Sequence, residues 1–110
     1  MAKSESLQGA LDLLVLKILA KRGPLHGYGI TLQIEQMSQE VLRVEEGSLY
    51  PAMHRMEEAG WIQAEWVSAE GSKRRARYYE ITREGRNRLE AEELRWNAVA
   101  AAVSRVLALA

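Results

Sequence analysis

The chain has 110 residues, 47% of them hydrophobic, with 15 basic and 15 acidic side chains and no cysteine. That length supports one domain around one core. The lack of cysteine excludes a disulfide framework, a zinc–thiolate cluster and a thiol nucleophile, which fits a reducing compartment such as the cytoplasm. Zero formal net charge excludes a uniformly basic nucleic-acid binder, so any affinity for DNA has to come from uneven charge.

The charge is uneven. From Glu35 to Glu70 eight acids stand against two bases, and from Lys73 to Arg88 seven bases stand against two acids. In chain order, the first apolar stretch, Leu7 to Ala20, is interrupted by Gln8, Asp12 and Lys17, too short and too charged to span a bilayer. Leu7, Leu11, Leu14 and Ile18 recur at helical spacing, Leu13, Val15, Leu16 and Leu19 fill neighbouring faces, and Gly23-Pro24 ends the run. A helix apolar on several faces needs cover on several sides, from its own core and from a second subunit.

A second helix is expected to begin near Gly27 to Gly29, with Ile30, Ile34 and Met37 inward. A third follows Glu46-Gly47-Ser48, with Ser48 as candidate N-cap, Pro51 in the first turn and Gly60 as the stop. Its inward stripe is Leu49, Ala52, Met53 and Met56, which leaves Tyr50, Pro51, His54 and Arg55 outward. Trp61 to Val67 and Arg75 to Thr82 read as the strands of a β-hairpin across a turn-like Ser68 to Ser72. Trp61 and Trp66 are expected to pack this hairpin onto the helices, and Tyr78 and Tyr79 to point to opposite faces. Thr82 caps a last helix to the chain end, in which Leu89, Trp96, Val103 and Ala110 recur every seventh residue with Glu92, Val99 and Val106 between them.

Helix, helix, helix, hairpin, helix is the winged helix-turn-helix order: a mainly α fold with a two-stranded wing and a long C-terminal helix. Residues 1–82 form the expected DNA-binding region and 83–110 the dimerisation helix, within one structural unit. Leu25-His26-Gly27-Tyr28-Gly29-Ile30, Glu46 through Glu57, Gly60-Trp61-Ile62, and Arg77 through Gly85 occur in that order and resemble the successive signatures of the PadR family of regulators. Met53 and Met56 stand where leucines are usual, a conservative volume change. The resemblance implies a DNA-binding repressor of the short subclass that dimerises through its last and first helices. Leu11, Leu14, Leu89, Trp96, Val99, Val103 and Val106 are its candidate interface residues.

A helix entering the major groove offers its first turns to base edges, so Ser48, Tyr50, Pro51, His54 and Arg55 are candidate contacts. Tyr28 at the start of the second helix fits a phosphate clamp, and equally a core residue whose hydroxyl reaches solvent. Lys73, Arg74, Arg75 and Arg77 supply wing charge; strand alternation sends only some of them to one side. No metal site is expected, since His26 and His54 have no carboxylate or thiol at ligand spacing. No cofactor or enzymatic activity is expected, because no catalytic set converges and Ser48 lacks a neighbouring base. Some members of the family bind planar aromatic compounds at the dimer interface through a tryptophan of the last helix. That resemblance nominates Trp96 for a small aromatic effector; an apolar pocket there needs a few polar groups, for which Gln8 or Asp12 of the first helix and Glu92, Glu93 or Asn97 nearby are the candidates, and the alternative is that Trp96 simply fills the interface. The alternative function is a winged-helix protein-interaction module, favoured if the acidic middle segment faces the groove.

Overall fold

A computed structural model describes residues 2–68, 71 and 73–110, with side chains from Ala10 onward. The elements are α1 (Ala2–Arg22), β1 (Leu25–His26), α2 (Gly27–Met37), α3 (Glu46–Glu58), β2 (Ile62–Ser68), β3 (Arg75–Ile81) and α4 (Arg83–Leu109). The three strands form an antiparallel sheet in the order β1-β3-β2.

α1 is the hub. It packs against α2, α3, β3 and α4, which is why its apolar residues cover more than one face: Leu11, Val15, Leu16, Ile18 and Leu19 are all buried. Ile30 and Ile34 of α2, Leu49, Ala52, Met53 and Met56 of α3, Ile62, Tyr79 and Leu89 complete the core. α1 ends where Gly23 takes a φ of +81° and its N–H reaches back to the Leu19 carbonyl, a left-handed stop that glycine adopts without a Cβ penalty.

Several boundaries differ from the sequence expectation. α3 begins at Glu46, not after Ser48, because the Glu45 carbonyl already accepts from both Ser48 and Leu49 N–H at 3.0 Å. Ser48 is therefore a first-turn residue and does not cap. Pro51 consequently lies further inside the helix than the first turn; it withholds an N–H from the Gly47 carbonyl at a solvent-exposed position. Met37, expected inward, is 53% exposed because α2 ends there and the core stops at Ile34. β1 was not anticipated: two residues have no periodicity to read, and Leu25 and His26 are recruited by pairing with Tyr79 and Tyr78.

The start of α4 is fixed closely. Thr82 Oγ1 accepts from Gly85 N–H at 3.0 Å and donates to the Gly60 carbonyl at 2.6 Å, joining the helix N-cap to the turn before β2. Gly85 lies against the Trp61 carbonyl, leaving no room for a Cβ. The first turns of α4 belong to the winged core: Leu89 is buried there, and Lys17 of α1 holds Glu93 at 3.0 Å. Leu11 and Leu89, expected at a dimer interface, are thus core residues of the single chain, because α1 and the first turns of α4 pack on each other. From Leu94 onward α4 projects away from that core, with Trp96, Val99, Val103 and Val106 all about half exposed or more, and the molecule extends 60 Å along its longest axis.

Candidate nucleic-acid interface

α3 divides as its sequence indicates. Leu49, Ala52, Met53 and Met56 face the core, while Ser48, Tyr50, Pro51, His54 and Arg55 lie exposed. Two of those outward side chains are already engaged. His54 Nε2 lies 2.6 Å from Glu58 one turn on. Arg55, expected to face a base edge, is turned against α1, where its guanidinium donates from Nη1 to Asp12 Oδ2 at 2.7 Å and from Nη2 to Oδ1 at 3.1 Å. Those hydrogen bonds push the Arg55 pKa above its ordinary value, against the opposing effect of partial burial. Asp12, nominated as a polar partner for an effector, is spent on the same pair. The side chain of Gln8, the other nominee from the first helix, lies outside the described residues.

Tyr50 leans across the N-terminus of α2. A Cβ on Gly27 would sit 2.8 Å from its hydroxyl, so the glycine permits the approach. The N-terminus is itself capped by His26, whose Nδ1 accepts from Gly29 N–H at 2.9 Å, giving this histidine a structural occupation. The His26 ring stands edge-on to Tyr78 at 5.3 Å and stacks loosely on Tyr28 at 6.4 Å. Tyr28 is 61% exposed and thus a surface residue, not a core one.

The wing has two chemically different faces, set by strand register. Trp66 pairs with Arg77, Ser68 with Arg75, Ala64 with Tyr79 and Ile62 with Ile81. Because paired residues share a face, that face runs from apolar core at Ile62 and Tyr79 to Trp66, Arg77 and Arg75 near the tip. The opposite face carries Gln63, Glu65, Tyr78 and Glu80, with Gln63 donating to Glu80 at 2.7 Å. Alternation therefore moves Glu65 and Glu80 away from Arg75 and Arg77. Tyr78 and Tyr79 do point apart: Tyr79 is buried, and Tyr78 is half-buried against His26.

Between the wing and the two helix N-termini lies an open trough, lined by Tyr28, Tyr50, Trp66, Arg75, Arg77 and Tyr79 together with Gly27 and His26. Arg77 is tied to Glu57 of α3 at 2.8 Å and also lies over the Tyr79 ring. Burial raises the Tyr79 hydroxyl pKa above its ordinary value, with the Arg77 charge opposing and Glu57 and Tyr50 adding to the rise. Lys73 and Arg74 are exposed at the wing's shoulder. The structure thus gathers Tyr28, Tyr50, Arg75 and Arg77 around one trough, and turns Arg55 away. Trp66, expected in the core, is 60% exposed; β2 runs beyond the edge of the core, so the inward parity of Trp66 points it at the trough. Among the described residues no group of three His, Asp or Glu side chains converges to hold a metal ion, and no helix is long and apolar enough to cross a membrane.

Comparison with known proteins places this architecture. A transcriptional regulator from Clostridium thermocellum is 27% identical and superposes with a TM-score of 0.81 over 93% of this chain and 94% of its own. A PadR family transcriptional regulator from Eggerthella lenta is 29% identical, with a TM-score of 0.79 over 99% of this chain and 92% of its own. Bacillus subtilis PadR, solved in complex with operator DNA, is 23% identical and shares the fold over 74% of this chain and 45% of its own, with a TM-score of 0.66. The model of the transcriptional regulator PadR-like family matches residues 15–91. With the winged helix-turn-helix order and the long C-terminal helix seen above, that match means the chain belongs to the PadR-like family of transcriptional regulators.

Proposed function

We propose that this regulator is a sequence-specific DNA-binding repressor that acts as a homodimer on a near-palindromic operator in the cytoplasm. The observation that carries the reading is the continuity of exposed Ser48, Tyr50 and Pro51 on α3 with the basic face of the wing, across a trough from which register has removed Glu65 and Glu80. The first turns of α3 lie in the major groove, where Ser48, Tyr50, Pro51 and His54 reach bases and sugars. Tyr28 and the start of α2 meet one phosphate, while Lys73, Arg74, Arg75 and Arg77 meet the backbone from the wing. Arg55 acts through Asp12 to hold the recognition helix on α1.

The partner copy covers the outer part of α4. Trp96, Val99, Val103 and Val106 are spaced at three and four residues along one stripe of that helix, the pattern of a helix packed on another; Leu14 of α1 is partly buried and packs against the core of its own chain. The dimer holds two recognition helices at a fixed separation, and an operator of matching half-site spacing follows from that symmetry. The division of labour falls inside α4, with its first turns in the winged core and its remainder in the interface. Trp96 is a ring too large for regular seam packing, and a flat aromatic effector entering beside it spreads the two copies and relieves repression.

Selection of bound duplexes from a random pool by the purified protein tests the reading in one step. Enrichment of a two-fold symmetric sequence is the expected result. Failure to retain any duplex, together with capture of protein partners through the same face, supports an interaction module instead.

A further inference from the structure

Trp66 carries an inference that deepens the DNA-binding reading and rests on it. The ring is 60% exposed although it lies on the core-side face of β2. It is not loose. Arg77, directly opposite on β3, and Arg75, two residues further along the same face, hold their guanidinium carbons 6.0 and 5.6 Å from its centroid, within the range of a cation–π contact. Arg77 is partly neutralised by Glu57, whereas Arg75 forms no ion pair among the described residues. The tip of the trough is therefore a broad apolar ring flanked by a guanidinium that no described carboxylate pairs, with the hydroxyl-bearing rings of Tyr28 and Tyr50 lining the same trough.

A surface that alternates cation and aromatic ring matches a nucleic-acid strand, which alternates phosphate and the flat, weakly polar faces of sugar and base. A protein partner of acidic character would satisfy the guanidinium but leave the indole in water. We propose that Trp66 is a DNA-contacting residue of the wing, packing its exposed ring against a deoxyribose of the strand whose adjoining phosphate is held by Arg75. The contact excludes water from the arginine–phosphate pair, so the tryptophan adds affinity without reading sequence. It also keeps both arginines extended along its surface before DNA arrives, which lowers the entropy lost on binding.

The experiment is a salt series of duplex-binding isotherms, using a duplex recovered from the random pool, for the wild type, Trp66→Ala, Trp66→Phe and Arg75→Ala. Trp66→Ala is expected to weaken binding on the order of tenfold at every salt concentration and on every duplex, with the slope of log K against log salt unchanged. Trp66→Phe should recover most of that loss. Arg75→Ala should instead flatten the slope by about one unit per bound subunit. Saturating duplex should also alter the indole emission of the wild type more than that of Trp66→Phe, a readout independent of the alanine variant's folding. Wild-type affinity in Trp66→Ala, equal emission changes in the two proteins, or a slope flattened as in Arg75→Ala would each overturn the proposal, the last by showing the ring to be only a shelf for arginine. A wild type without salt-dependent duplex binding would defeat the DNA reading as a whole, before any effect of Trp66 is measured.

Discussion

Arg55 of α3 and Asp12 of α1 meet fork to fork, Nη1 to Oδ2 at 2.7 Å and Nη2 to Oδ1 at 3.1 Å, across 43 residues of sequence. The pair is the polar link between the outer face of the recognition helix and the central helix. Its bidentate geometry fixes rotation as well as distance, and Asp12 is the less exposed partner, at 17% against 46% for Arg55. Loss of either side chain should lower stability by about 1 kcal/mol, the upper part of the range for accessible pairs. For DNA, Asp12→Ala and Arg55→Ala should each weaken operator binding, and the double variant should be no worse than either single one. Retained or tighter binding by Asp12→Ala would mean that a released Arg55 reads bases directly.

Gly85→Ala tests how α4 is anchored. The added methyl would overlap the Trp61 carbonyl and approach Ile81 Cγ1 at 2.7 Å. A carbonyl in a strand-entry turn has nowhere to move, so the variant should lose about 3 kcal/mol or more. Thermal melting measures it, and an unchanged midpoint would mean that the helix start shifts freely on the hairpin.

How much of this was legible in the sequence depends on the range over which each signal acts. The Thr82 cap and the α3 stripe were readable because a cap and a helical repeat are decided within a few residues. Trp66 was misplaced because alternation gives the side a residue faces but not where the core beneath it ends. Leu89 was read as interface for a related reason: a heptad repeat continues unchanged from a helix's contact with its own chain into an exposed stripe, as α4 does between Leu89 and Trp96. Arg55 faced outward as expected, but its partner on α1 had no local signature.

Tyr79 sets an alkaline limit on stability. Its hydroxyl is raised above the ordinary tyrosine pKa, chiefly by burial. At neutral pH both the folded and the unfolded chain keep the proton. As pH climbs past about 10, the unfolded chain ionises first and stability falls, continuing until the folded hydroxyl also ionises. Melting temperature should therefore decline less steeply in that window for Tyr79→Phe than for the wild type; parallel declines would remove Tyr79 as the cause.

Val99 and Val103, both about half exposed on the outer part of α4, should control assembly without touching the winged core. Replacing both with glutamate places like charges in an apolar seam and should give a folded monomer in sedimentation, with helical content retained. A dimer at micromolar concentration in that variant would place the partner surface elsewhere.

The central claim is that the trough and the exposed face of α3 meet duplex DNA, and the salt dependence of binding tests it most directly. If Lys73, Arg74, Arg75 and Arg77 of two copies each neutralise one phosphate, the slope of log K against log salt on B-form duplex should be about −7, and about −4 when Arg74 and Arg75 are both replaced by alanine. A slope near zero in the wild type, or one unchanged by removing those arginines, would contradict the account.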